Sequence, residues 1–245
     1  MARQLASEMV VEERIRVLNG APVRPDGAYV VYWAGANRRV ESNHGPARAV
    51  EIANELALPV LYYEGVTCAY PHANGRLHTF LLEGVPETAR RLKRLGIGYC
   101  FSLRRRFSDP EDAFFRVAER AACVVADDNP ACFPALLNAT VPEMLRVRYE
   151  VVDSSCIVPM NLLDKREYAA CTACRDALET MIRIHGRARP GHVHEHPVVL
   201  RAARPAVAGA GGIRDHPLHA AGGDEAQEEC GCAIAGDRLP GADWN

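Results

Sequence analysis

No stretch of this chain stays apolar for the roughly 18–20 residues that a membrane span needs, so a membrane protein is not expected. The amino terminus does not read as a signal peptide either, because Glu8, Glu12, Glu13 and Arg14 break up any apolar centre. The expected location is the cytoplasm. An excess of charge is also missing: 29 Lys and Arg against 31 Asp and Glu leave a formal net charge of −2 over 245 residues. The chain as a whole therefore has no electrostatic footprint for nucleic acid. One local cluster, Arg104-Arg105-Arg106, reads as a solvated loop. Tryptophan is scarce, with Trp33 and Trp244 alone. Cysteine is not. Nine occur, of which Cys68, Cys100, Cys123, Cys132 and Cys156 are scattered singly in apolar or turn contexts. Buried thiols in a reducing compartment suit that scatter better than disulfides do.

What is present is an alternation of two periodicities. Residues 1–27 form a mixed lead-in punctuated by Pro22, Pro25 and Gly27. Tyr29 to Trp33 then runs without a charge, as a strand buried on both faces of a parallel sheet does. Between residues 43 and 56, Ala47, Ala49, Val50, Ala53 and Leu56 recur at helical spacing, and Pro59 follows the end of that helix. Leu77, Leu81, Val85, Ala89 and Leu92 share one face of a second helix over 74–95, where Pro86 predicts a kink or a split. Arg90, Arg91, Lys93 and Arg94 gather near its end, where cations complement the helix dipole. Asp109-Pro110-Glu111-Asp112 predicts a capped start, with proline first, to a third helix over 113–122. Strands are expected near 28–33, 59–63, 97–103, 123–126 and 147–152. Strands alternating with helices predict right-handed crossovers, hence an α/β fold with a doubly wound, Rossmann-like, five-stranded parallel sheet.

Past about residue 170 the composition changes. Residues 175–186 could make one more helix, with Leu178, Met181 and Ile182 apolar. Beyond it alanine, glycine, proline, arginine and histidine dominate, and large apolar side chains thin out. Such a segment cannot bury enough surface to offset the entropy of ordering it, so a mostly disordered tail is expected. The expected organisation is a lead-in over 1–27, an α/β domain over 28–170 and the tail over 171–245.

In an open α/β sheet, ligands bind beyond the carboxyl ends of the strands, where strand order reverses. Those ends are Trp33 to Arg38, Asp127 to Pro130, and Asp153-Ser154. The first of these loops has no G-x-G-x-x-G and no G-K-[ST], which argues against a dinucleotide or triphosphate cradle. No G-x-S-x-G elbow supports nucleophilic catalysis, and no catalytic residue is assigned. Trp33, Arg38, Asp127 and Asp128 remain as candidates for a cofactor cleft. Trp33 could stack on an aromatic ligand and Arg38 could meet an anion, while Asp127 and Asp128 could hold a hydroxyl, an amide or a cation. Each has a plainer role: Trp33 in the core, Arg38 with Arg39 on the surface, and the two aspartates capping a helix before Asn129 and Pro130. In the tail, Cys171-Thr172-Ala173-Cys174 has zinc-knuckle spacing. His192, His194 and His196 alternate, and Cys230-Gly231-Cys232 lies far away, so a dedicated metal site is not assigned.

The order of pieces resembles the amino-terminal α/β domain of the photolyase/cryptochrome family, closest to its class II cyclobutane-dimer photolyases. The resemblance covers about residues 14–170. It is carried by Arg16-Val17-Leu18-Asn19, Val30-Val31-Tyr32-Trp33, Glu41-Ser42-Asn43-His44 and Arg76-Leu77-His78-Thr79-Phe80-Leu81-Leu82-Glu83-Gly84. Val151-Val152-Asp153, Val158-Pro159 and Lys165-Arg166-Glu167-Tyr168-Ala169-Ala170-Cys171-Thr172 continue it. The resemblance implies light-driven repair of cyclobutane pyrimidine dimers in DNA, in which a reduced flavin (FAD) donates an electron to a flipped-out dimer. It also implies an antenna chromophore, and a helical domain after the linker that holds flavin and lesion.

The chain departs from the family at Ala173-Cys174-Arg175-Asp176, and residues 177–245 do not resemble a helical domain. With two tryptophans, the family's relay of closely spaced tryptophans cannot be built. The tail looks like translation out of the original frame. The resulting expectation is a truncated photolyase-like chain, inactive alone, with no stoichiometric cofactor and with damaged DNA a partner of the family rather than of this chain. The alternatives are a stand-alone α/β module that binds a small antenna chromophore, and a regulatory protein that binds metal or a partner through its Cys/His-rich tail.

Overall fold

A computed structural model describes residues 10, 12–130, 132–163, 174, 175 and 179. Within them lies a sheet of six strands: β1 (Ile15–Val17), β2 (Tyr29–Ala34), β3 (Val60–Thr67), β4 (Gly98–Arg104), β5 (Ala121–Asp127) and β6 (Arg148–Val152). Four helices connect them: α1 (His44–Leu56), α2 (Gly75–Arg94), α3 (Ala113–Ala118) and α4 (Cys132–Thr140). The sheet order is β1-β6-β5-β2-β3-β4. From β2 the chain winds outward to β3 and β4, then crosses back to β5 and β6. That reversal makes the fold doubly wound and puts its switch point between β2 and β5.

Burial explains the strand composition. Val30, Tyr32, Val60, Tyr62, Cys123 and Val125 pack on one face, against Ala49, Val50, Ile52 and Ala53 of α1 and Leu92 of α2. Val31, Leu61, Tyr63, Val124 and Val151 pack on the other face, against Phe114 and Ala118 of α3 and the half-buried Leu137 of α4. A strand covered on both sides has no polar alternation to show, which is why the central strands are apolar runs. Side chains also open the helices. Asn43 Oδ1 accepts from Gly45 N–H at 3.2 Å, and Asn74 Oδ1 from Leu77 N–H at 2.8 Å. Cys68 and Cys123 are buried, and Cys100 and Cys156 are half-buried.

The structure corrects the expected architecture at several points. The sheet has six strands among the described residues, not five, because part of the lead-in is β1, antiparallel to β6. Three residues with Arg16 in the middle give no periodicity to read. β3 runs on to Thr67, where it still pairs with Arg104. α3 ends at Ala118 rather than near 122, since Ala121 and Ala122 are taken into β5, where Ala121 pairs with Tyr29. Pro110 does not open that helix: Asp112 precedes it without a side-chain cap, and Asp109 accepts from the N–H groups of Arg105 and Arg106 instead. α2 continues through Pro86, which sits at an exposed position. Of the basic cluster, Arg104 is not solvated; it ends β4 and pairs with Glu111 at 2.7 Å. The expected helix over 175–186 and the disordered tail fall outside the described residues, apart from Cys174, Arg175 and Glu179.

Candidate functional site

At the switch point the ends of β2 and β5 lie side by side, with Trp33 paired to Ala126. A hollow of about 260 Å³, its open mouth included, sits there, lined by Trp33, Gly35, Ala36, Ala126, Asp127, Pro134, Leu137, Asn138 and Tyr149. Its walls are mainly apolar. Trp33 stacks on Phe114 with ring centroids 3.9 Å apart, so α3 fixes the indole from behind. Period-two alternation brings Trp33, Ala126 and Tyr149 to one face of the sheet, where α4 supplies the remaining wall.

The polar side chains of Asp127, Asn138 and Tyr149 are already paired. Asp127 is buried, and its Oδ2 accepts from the backbone N–H groups of Gly35 (3.2 Å), Ala36 (2.8 Å) and Asn37 (2.7 Å). Tyr32 O–H donates to its Oδ1 at 2.7 Å. Successive N–H groups converging in this way form an anion-binding nest, and here the anion is the protein's own side chain. Burial pushes the Asp127 carboxyl above its ordinary range, and the N–H donors and Tyr32 oppose that shift. Asn138 Nδ2 donates to Asp127 O at 3.0 Å, while its Oδ1 accepts from Tyr149 O–H at 3.0 Å. Desolvation pushes the Tyr149 phenol well up, so it stays a donor at neutral pH.

Of the four residues singled out by sequence, the fold brings Trp33 and Asp127 together in this lining and places Arg38 and Asp128 outside it. Arg38 Nη1 donates to the buried Glu64 of β3 at 2.7 Å, and Tyr99 O–H donates to the same carboxylate at 2.7 Å. Glu64 follows Tyr62 by two residues and so shares the α1 face, across the sheet from Trp33. Asp128 receives Nε and Nη2 of Arg16, each at 2.8 Å, which clamps β1 to the carboxyl edge. Sequence reasoning missed Tyr32, Asn138 and Tyr149. They come from three separate elements, and only the strand order shows that they meet. Tyr62 stands beside Tyr32, ring centroids 5.0 Å apart, with its hydroxyl buried and without a hydrogen-bond partner among the described residues.

Beyond the hollow, the described residues contain no group of three or more His, Cys, Asp or Glu that could hold a metal ion. The tail motifs from Cys171 to Cys232 lie outside them, Cys174 excepted. No described helix is long and apolar enough to cross a membrane.

Fold and hollow together define an α/β domain with a small, largely apolar cleft at the switch point of its sheet. No family model matches the chain. Over 165 residues, however, it is 34% identical to a deoxyribodipyrimidine photo-lyase of Methanothermobacter thermautotrophicus, an alignment that takes in 67% of this chain and 36% of the relative. The chain therefore carries a photolyase-family amino-terminal α/β domain, and it spans about a third of that relative's length. A structure of the universal stress protein family from Burkholderia pseudomallei overlaps 50% of this chain and 95% of its own, at 16% identity and a TM-score of 0.31, a likeness too loose to build on.

Proposed function

We propose that this chain supplies the α/β half of a photolyase-like protein, that the hollow beside Trp33 and Asp127 receives the edge of an antenna-type chromophore, and that the chain by itself repairs no DNA. The observation that carries the reading is the position of the hollow. It lies where an open α/β sheet binds ligands, inside a domain similar to that of a photo-lyase. Trp33 offers the aromatic surface, Asp127 shapes the loop over it, and Arg38 and Asp128 brace the strands around it.

The described residues do not fit an intact flavin dinucleotide. The space enclosed by its walls is only about 30 Å³, far below the range of roughly 300–1,000 Å³ typical of sites that enclose a whole ligand. The loop that would meet a phosphate is filled by Asp127. Light-driven dimer cleavage needs flavin and lesion held together, and nothing in this hollow could hold both.

The test is direct. The purified 245-residue chain is incubated with FAD, desalted, and assayed for flavin absorbance and for loss of thymine dimers under near-ultraviolet or blue light. Neither stoichiometric flavin nor light-dependent repair is expected, and repair by the isolated chain would overturn the proposal. The cleft reading is checked separately, by titrating neutral flavins and pterins against Trp33 fluorescence in a Trp244→Phe background.

A further inference from the structure

We propose that Tyr32, Tyr62 and Tyr99 form a one-electron conduit through the sheet, which takes an oxidising equivalent from a one-electron oxidant in solvent at Tyr99 and stores it on the buried Tyr32. The conduit needs no bound ligand, so it stands apart from the cleft beside Trp33.

The three tyrosines hold one register on adjacent strands: Tyr32 of β2 pairs with Tyr62 of β3, and Tyr62 with Tyr99 of β4. Their rings line up across one face of the sheet, with centroids 5.0 Å apart from Tyr32 to Tyr62 and 6.0 Å from Tyr62 to Tyr99. Electron tunnelling weakens steeply with distance, and steps of this length are short. Exposure is graded along the row: Tyr32 and Tyr62 are fully buried, while Tyr99 on the last strand of the sheet order is half-buried. Gly45 of α1 pins the inner end, since a Cβ there would lie 2.5 Å from Tyr32 Cε2. A phenol gives up an electron readily only when its proton has somewhere to go. Tyr99 O–H donates to Glu64 Oε2 and Tyr32 O–H to Asp127 Oδ1, each at 2.7 Å. The Tyr62 hydroxyl has no partner among the described residues. Desolvation pushes all three phenols up, so each keeps its proton at rest. The two ends are therefore the stations and Tyr62 is the bridge between them.

In the first step the oxidant gains one electron from Tyr99, whose proton moves to Glu64, leaving a neutral tyrosyl radical and a protonated carboxyl. In the second, Tyr32 passes one electron through Tyr62 to Tyr99 and its proton to Asp127, while Glu64 returns its proton to Tyr99. The net change is one electron from Tyr32 to the oxidant and one proton from Tyr32 to Asp127. Charge sets the direction. A protonated Glu64 strands the Arg38 guanidinium that it holds at 2.7 Å, whereas a protonated Asp127 removes a buried negative charge. Asn43 Nδ2, 3.1 Å from the Tyr32 oxygen, still donates to it once the proton has left.

The experiment uses the full chain. Trisbipyridyl ruthenium, oxidised by a light flash in the presence of a sacrificial acceptor, serves as the one-electron oxidant. Tyrosyl radicals are followed by transient absorbance and by freeze-quench electron paramagnetic resonance. Wild type is expected to give a fast-decaying surface component and a slow one from Tyr32. Tyr32→Phe and Tyr99→Phe should each lose the slow component. Tyr62→Phe keeps a ring in the gap and should retain it, as should Tyr149→Phe, whose ring lies on the other face of the sheet. The proposal is overturned by a slow component that survives Tyr32→Phe or Tyr99→Phe, that disappears in Tyr62→Phe or Tyr149→Phe, or that is missing from wild type. Should a variant fail to fold, wild type alone decides. A water-soluble dysprosium chelate speeds the relaxation of surface radicals and is expected to leave the saturation of the slow signal unchanged; a change places the radical at the surface and overturns the proposal.

Discussion

The buried carboxylate of Asp127 and the buried hydroxyl of Tyr62 sit near one another with opposite histories. The first accepts four hydrogen bonds and the second makes none among the described residues. An unpaired buried hydroxyl costs on the order of 1–3 kcal/mol, so Tyr62→Phe should leave stability unchanged or raise it by up to about 1 kcal/mol in urea melts. A loss of more than about 1 kcal/mol would mean that the hydroxyl has a partner after all. For Asp127 the direction of the shift sets the sign of a pH effect. Its folded value lies above the ordinary 3.8, chiefly through burial. A group raised in this way contributes stability that is fully present below 3.8 and is lost as pH rises through the folded value. Asp127→Asn cannot titrate, and the amide oxygen can still accept from the loop. The stability of wild type relative to Asp127→Asn should therefore be greatest in acid and fall as pH rises above 3.8. Urea melts over a pH series would show this, and a relative gain with rising pH would refute it.

At the scale of elements, the lead-in decides more than its composition suggests. Arg14 Nη1 donates to the carbonyls of Asp153 (3.0 Å) and Cys156 (2.8 Å), and its Nη2 to Ile157 O at 2.7 Å. Two residues later Arg16 holds Asp128, whose side chain is only 8% exposed. Losing Arg16 leaves the largely buried Asp128 carboxylate without its bidentate partner, but Arg16 is itself 46% exposed, so solvent screening holds the cost to about 1–2 kcal/mol. Lost ladder bonds to β6 and three carbonyls released by Arg14 add to that. A chain trimmed to begin at residue 28 should accordingly be at least about 2 kcal/mol less stable than the full chain, or fail to fold. Denaturant melts of the two would decide, and equal midpoints would show β1 to be dispensable. β1 went unread because period-two patterning needs more than three residues to register. The 20-residue α2 was legible, with its apolar face and basic last turn, yet its passage through Pro86 was not. A helix whose face is buried in tertiary contacts can tolerate a missing hydrogen bond that an isolated one could not.

For the whole molecule, local chemistry and long-range pairing divided the task. The amino-acid sequence by itself determined the fold class. Charge-free strands such as Tyr29–Ala34, helices capped by Asn43 and Asn74 and their strict alternation leave a parallel sheet with helices on both faces as the one way to bury those surfaces. It also determined that no glycine-rich phosphate loop follows the first strand, and it carried the resemblance that the photo-lyase alignment supports. Only the tertiary structure decided which strand ends meet. Strand order depends on pairings between residues about 90 positions apart, such as Trp33 with Ala126, and no local propensity encodes those. That order turned the adjacent aspartates to separate tasks, Asp127 into the loop nest and Asp128 onto Arg16. It also kept Trp33 at the cleft while sending Arg38 to Glu64. The reason is geometric: side chains one residue apart on a strand point to opposite faces, so neighbours in sequence became strangers in space, and the cleft was assembled from elements that only the closed sheet brings together.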